Sequence, residues 1–113
     1  NIVFRDSGKH NTNIQLKDWL KNIAQHDVGE IFLNCIDRDG KACGYDLETV
    51  DEASKFLSIP TIACGGAGHQ RDFWHCFDKT DTSAVAAGNI FHFTENAYPR
   101  AKKYLRNKFI NVR

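Results

Sequence analysis

Three short stretches of this sequence combine glycine with small polar or acidic residues, and each follows an apolar run. They are Asn34-Cys35-Ile36-Asp37-Arg38-Asp39-Gly40, Cys64-Gly65-Gly66-Ala67-Gly68 and Gly88-Asn89. Glycines between a strand and a helix let backbone N–H groups approach an anion closely, and the N-terminus of the helix adds partial positive charge. The second and third stretches together therefore predict a phosphate site built largely from main-chain groups.

In the first stretch, Asp37 and Asp39 stand at alternate positions on either side of Arg38. This set could orient a polyhydroxylated substrate, act as an acid or base, or tie the loop together through the arginine, and the sequence leaves these roles open. A calcium-binding loop of the EF-hand type is excluded. Lysine and alanine stand fifth and sixth from Asp37, where that loop needs an oxygen ligand and a glycine.

Alternating strands and helices must position these three stretches. Short apolar runs predict strands at four places: residues 2–4, 30–36, 61–64 and 83–87. A 3.6-residue apolar period predicts a helix after each strand. Residues 7–13 are expected to form a polar loop, Asp46 to cap the second helix, and the last helix to begin near Pro99. Repeated units of this kind favour a parallel sheet, whose ligands lie at the carboxyl ends of the strands.

Composition and charge narrow the class of protein. The chain has 113 residues, 42% hydrophobic and 26% charged, which is typical of one soluble globular domain. A net charge of +1 favours neither nucleic acid nor an anionic membrane as a partner. Its apolar runs are far shorter than a membrane span, and no leader opens the chain, so we expect a cytoplasmic protein.

The remaining cysteines, histidines and lysines favour structural roles. Four cysteines without a CxxC pair predict reduced thiols, and no metal or other cofactor is expected. His92 lies between aromatic residues and is expected to be packed in the interior. The last helix carries a basic stripe that is expected to face solvent, made of Lys102, Lys103, Arg106 and Lys108.

One combination of motifs is specific. Ile36-Asp37-Arg38-Asp39-Gly40 followed by Gly44-Tyr45-Asp46 resembles the loop after strand six in the cyclase subunit of imidazole glycerol phosphate synthase, a (β/α)8 TIM barrel. Further segments resemble the same family in the same order: Ser7-Gly8-Lys9, Gly65-Gly66-Ala67-Gly68, Ala86-Ala87-Gly88, Ile90-Phe91-His92-Phe93 and Ile110-Asn111-Val112-Arg113. The resemblance covers essentially the whole chain.

The resemblance implies an α/β fold that is the C-terminal half of the barrel, in a single half-barrel domain. Its parts would be the tail of unit five at 1–28, unit six at 29–57, unit seven at 58–80 and unit eight at 81–113. Three complete strand–helix units cannot close an eight-stranded barrel, and open strand edges need to be covered. A partner is therefore expected, either an N-terminal half-barrel or a second copy of this chain.

The resemblance also implies a function. The family is a lyase of histidine biosynthesis that takes ammonia from a glutaminase partner and cyclises a phosphorylated aminoimidazole ribonucleotide. Residues expected around one terminal phosphate of that substrate are Asn34, Asp37, Asp39, Gly40, Cys64, Gly65, Gly66, Gly88 and Asn89. The family's catalytic aspartate pair belongs to strands one and five, which these residues do not match. The chain is therefore expected to bind phosphate, to contain no catalytic residue and to be inactive alone.

Three positions depart from the family pattern and leave alternatives open. Threonine is frequent in the family at the position of Asn34, and serine at the positions of Cys64 and Asn89. A paralogous branch resembles the same cyclase but works with an amidotransferase to amidinate surface sugars. A second alternative is a self-associating half-barrel that only binds phosphate.

Overall fold

A parallel three-stranded sheet forms the centre of the fold, in a computed structural model that describes residues 1–93 and 95–112. Arg113, the last residue of the terminal family segment, lies outside the described residues. The elements in chain order are β1 (Ile2–Arg5), β2 (His10–Gln15), α1 (Leu16–Ile23), β3 (Ile31–Asn34), α2 (Leu47–Phe56), β4 (Thr61–Cys64), α3 (Gln70–Lys79), β5 (Ala84–Val85), α4 (Asn89–Phe93) and α5 (Ala97–Asn107).

The strand order β3-β4-β5 is parallel throughout, as the strand–helix alternation predicts. Asn34 is paired with Cys64, so β3 and β4 end at the same level. One backbone hydrogen bond beyond that pair, from the Cys35 N–H to the Cys64 carbonyl, measures 3.0 Å. The loops that follow these strands therefore leave the sheet from one edge.

The first predicted loop is wrong, because part of residues 7–13 forms strand β2, which pairs with β1 in an antiparallel hairpin. The turn is closed by the Lys9 N–H, which donates to the Asp6 carbonyl at 3.3 Å, and Gly8 takes a φ of +82°. The polar sequence of β2 gave no apolar alternation to indicate a strand. Its side chains are nearly all exposed, and burial is what imposes alternation on a strand.

Other differences concern the last third of the chain. The final strand covers two residues rather than 83–87, and the short helix α4 was not predicted. His92, in that helix, is exposed rather than packed. Helix α5 begins at Ala97, so Pro99 is its third residue, still within the first turn. The predicted cap of α2 is confirmed, since the Asp46 carboxylate accepts a 3.4 Å hydrogen bond from the Thr49 N–H.

The helices cover one face of the parallel sheet. Alternate strand residues such as Leu33 and Ala63 contribute to the core, where Ala63 is fully buried. Because successive side chains of a strand point to opposite faces, Phe32 and Asn34 lie on the other face, and Phe32 is 59% exposed. That face carries no covering layer among the described residues. None of the helices formed by these residues is long and apolar enough to span a membrane.

Candidate functional site

The site is formed by the loops that follow the three parallel strands, named here the first loop (35–46), the glycine loop (65–68) and the third loop (86–88). The Asn89 side-chain amide follows the third loop and donates a 3.0 Å hydrogen bond to the Gly40 carbonyl, 49 residues away in the chain. The Asn34 side-chain amide donates to the Asp39 carboxylate at 3.4 Å. The first contact joins the first loop to the residue after the third loop, and the second joins the end of β3 to the first loop.

Cys64 lies at the end of β4, beside the same group. Burial raises the pKa of the Cys64 thiol, the Gly65 N–H opposes that shift, and the negative charge of Asp39 adds to it. A thiol whose pKa is raised stays protonated at neutral pH and is a poor nucleophile. Cys64 is therefore a small, weakly polar group at this strand end, and Asn34, Asp39 and Cys64 are neighbours.

Gly65 and Gly66 are buried, and the structure explains why both are glycine. Their φ values of +92° and +102° belong to the left-handed region, which glycine adopts at little cost. A Cβ at Gly65 would lie 2.5 Å from the Cys35 carbonyl oxygen, and one at Gly66 would collide with the Gly44 carbonyl. The glycine loop is therefore packed directly onto the first loop, with no room for a side chain between them.

The N-terminus of α3 holds an anion of its own. The Asp72 carboxylate accepts hydrogen bonds from the N–H groups of Gly68 and His69, both at 2.9 Å. These two N–H groups, just before the first residue of α3, are therefore already paired with a carboxylate of the chain itself.

Gly88 and Asp37 are both exposed among the predicted site residues. Gly88 is exposed, and a Cβ added to it would meet nothing within 4 Å. Asp37 is exposed and lies near the Cys35 thiol, whose pKa is raised mainly by burial and further by the carboxylates of Asp46 and Asp37. Gly88 is thus accessible to a ligand from solvent, whereas no contact joins Asp37 to the Asn34–Asp39 pair.

Sequence reasoning missed two side chains that shape the site. Tyr45 is buried, and its hydroxyl donates to the Ala86 carbonyl at 2.9 Å, which ties the first loop to the third. Burial raises the pKa of this phenol, so it remains a hydrogen-bond donor. Asp72 forms a capping box with His69, and that spacing was visible in the sequence. The Tyr45 contact spans 41 positions and had no local signal.

The hairpin β1–β2 lies against the first loop. A Cβ at Gly8, in the hairpin turn, would lie 3.2 Å from the Ile36 side chain. At the base of the hairpin, the Asn1 side-chain amide donates to the Thr49 hydroxyl at 2.6 Å. The Ser7-Gly8-Lys9 segment is therefore adjacent to the start of the first loop.

Comparison with known proteins gives a consistent result. The model of the histidine biosynthesis protein family matches residues 1–97. Relatives named imidazole glycerol phosphate synthase subunit HisF include those of Hydrogenobaculum sp. (40% identical over 111 residues) and Dehalococcoides mccartyi (42% over 111 residues). The Thermotoga sp. relative is 41% identical over 112 residues.

These matches cover 98–99% of the chain but 44% of each relative, so the chain spans less than half the length of the relatives it matches. A half of a TIM barrel fits both that coverage and the three parallel strands followed by helices. The match extends through all three loops of the site. The chain therefore belongs to the histidine biosynthesis protein family and is similar, over nearly its whole length, to its HisF subunits.

Proposed function

We propose that this chain is the phosphate-binding half of a HisF-like cyclase of histidine biosynthesis. The observation that carries the proposal is the hydrogen bond from Asn89 to the Gly40 carbonyl, which closes a ring of loops around the strand ends. Glycine backbones lie in each of these loops, as an anion site built from main-chain N–H groups requires. The description of the matched family supplies the pathway, the names of the relatives supply the cyclase subunit, and the surface-sugar alternative has no comparable support.

Within this site, the phosphate would be held by main-chain groups around Gly40, Gly65, Gly66 and Gly88, and by the Asn89 amide. The Asp39 carboxylate is held by Asn34 and has the wrong charge for a phosphate oxygen. We therefore assign it to a hydroxyl of the substrate's sugar. Cys64 would line the pocket and Asp37 would stand at its rim.

Gly88→Val tests the phosphate site. A Cβ added at Gly88 would meet no atom within 4 Å beyond the adjacent residues, so the fold should tolerate the change, but the branched group would block the approach of an anion. We expect phosphate affinity, measured by calorimetric titration at low salt, to fall by about tenfold, the effect of losing one charge-assisted hydrogen bond.

Gly29→Val is the matched control, because Gly29 also has nothing within 4 Å and lies outside the three loops. It should leave phosphate binding unchanged, and both variants should melt near the parent temperature. Equal affinity in the parent and Gly88→Val would refute this assignment of the site.

A second half-barrel is proposed to cover the open face of the sheet. The strands β3 and β5 are both edge strands, and an apolar groove of about 640 Å³ lies beside β5, lined by residues of α3 and α5. The covering half would be an N-terminal half-barrel or a second copy of this chain, and the complete barrel would take ammonia from a glutaminase subunit. Residues 1–28 would then be the tail of unit five, followed by units six to eight.

Turnover is proposed to need that second half. The resemblance assigns the general acid and base to an aspartate pair on strands that these residues do not match, and both groups must reach the same reacting atoms. The 113 residues alone should bind phosphate without ammonia-dependent cyclisation. Product formation above background in a purified sample would contradict this.

A further inference from the structure

Arg38 lies between Asp37 and Asp39 of the first loop, but its side chain forms a hydrogen bond to a different group. It is half-buried, and its Nη1 donates to the Gly44 carbonyl at 3.4 Å. None of the ion pairs among the described residues includes it. The guanidinium is therefore directed at a backbone carbonyl rather than held by Asp37 or Asp39.

Gly44 contacts both Arg38 and the glycine loop. Its N–H donates to the Gly66 carbonyl at 2.8 Å, and its own carbonyl, the acceptor of Arg38, packs against the Cα of Gly66. The Cβ of Arg38 would lie 3.0 Å from a Cβ at Gly66. Gly66 therefore packs against both Arg38 and Gly44.

The direction of the Gly66 carbonyl fixes the direction of the next N–H group. In a trans peptide the C=O and the following N–H point opposite ways, and the described chain contains no cis peptide bond. Because the Gly66 carbonyl points toward the Gly44 N–H, the Ala67 N–H points away from Gly44. Losing the Gly44 contact would free this peptide plane to rotate.

The far end of the glycine loop is held independently. Gly68 packs so closely on Ala42 that a Cβ there would lie 2.6 Å from the Ala42 Cβ, and Asp72 holds the Gly68 N–H. The loop is thus fixed at one end by Asp72 and at the other by the Arg38–Gly44 contact. A change at Arg38 should loosen the Gly66 end alone.

We propose that Arg38 is a positioning residue of the phosphate site, which holds the Gly66 and Ala67 peptide groups in their anion-binding orientation through Gly44. This inference rests on the proposed function. Arg38 would not touch the phosphate itself. Its contribution would be to keep the amide donors aligned before the ligand arrives.

Arg38→Met tests this, because methionine keeps an apolar stem and removes the donor and the charge. We expect its affinity for inorganic phosphate to fall by about tenfold, as for loss of a hydrogen bond made by a charged group. Arg38→Lys restores a donor and should recover part of the affinity. Lys41→Met removes a charge from the same loop at an exposed position and should change affinity by less than about twofold, since exposed charges are screened.

Amide hydrogen exchange gives a readout that separates positioning from direct attraction. Without phosphate, Arg38→Met should exchange the Gly44 N–H faster, whereas the Cys35 N–H in the β3–β4 ladder should keep its protection. Unchanged Gly44 exchange, or phosphate affinity within about twofold of the parent, would overturn the role of Arg38. If the parent itself fails to bind phosphate, the proposed function fails first, and this inference with it.

Discussion

At the scale of single residues, some of the predicted site glycines are required by the backbone conformation and packing, whereas others are not. Gly65 and Gly66 are required by their φ values and by contact with the first loop, whatever they bind. Gly88 has no such requirement. A substitution at Gly88 should therefore disturb the fold least, which makes Gly88 the best position at which to test binding.

Phe109 is a second residue at which the backbone conformation determines how a substitution changes the stability of the protein. It follows α5 with a φ of +62°, and the Ile110 N–H donates to the Leu105 carbonyl at 3.0 Å, as in a Schellman motif. Phe109→Gly should stabilise the protein by about 1 kcal/mol, because glycine adopts this conformation without the steric cost of a Cβ. Thermal and urea unfolding would measure the change.

Phe109→Ala is the control for that substitution. The Phe109 side chain is 98% exposed, so removing the ring while keeping the Cβ should leave stability nearly unchanged. An equal gain in the alanine and glycine variants would show that the ring, rather than the backbone conformation, limits stability.

At the scale of elements, the helices and the parallel strands were predictable because their signals are local. The bounds of β4 agree with the prediction, and the Asp46 cap of α2 is confirmed. The strand β2 and the five-residue helix α4 were missed. A polar, exposed strand lacks alternation, and one turn and a half of helix is too short to show a period.

The start of α3 depends on Asp72, which satisfies two backbone donors immediately before that helix, those of Gly68 and His69. Asp72→Ala should destabilise the protein by about 1 kcal/mol, the usual cost of losing a helix N-terminal cap. Exchange of the Gly68 and His69 N–H groups should become faster in the same variant. Both effects would be measured by unfolding and by amide exchange.

Asp78→Ala provides the comparison on the same helix. Asp78 is exposed, lies near the C-terminus of α3 and pairs with Lys79 at 3.0 Å. Exposed ion pairs contribute little, so this variant should stay within about 0.5 kcal/mol of the parent. Similar losses in the two variants would argue against a capping role for Asp72.

At the scale of the whole molecule, the family membership and the three converging loops were predictable, whereas the contacts that close the site were not. The loops could be placed because parallel strands put their carboxyl ends at one edge. The Tyr45 hydroxyl bonds to a carbonyl 41 positions away, and that partner is set by packing that no short segment encodes.

The open face of the sheet gives a prediction at this scale. Phe32 is 59% exposed on the face without helices, so Phe32→Asp should weaken association with a covering half while leaving the fold of a single chain intact. Sedimentation of the parent and the variant would measure this. Phe56→Asp, at the 40% exposed end of α2, should not change the assembly. A parent that is strictly monomeric and melts cooperatively would contradict the proposed covering half.

The hydrogen bond from the Tyr45 hydroxyl to the Ala86 carbonyl has a consequence for how this chain could be divided. Together with the Asn89–Gly40 contact, it joins segments 41 and 49 positions apart, so the site exists only when everything between them is folded. A chain break or an insertion that unfolds β4 or α3, which lie between these residues, should therefore abolish the site. The exposed segment 24–27, between α1 and β3, is crossed by neither contact and is the place where the chain should tolerate being opened.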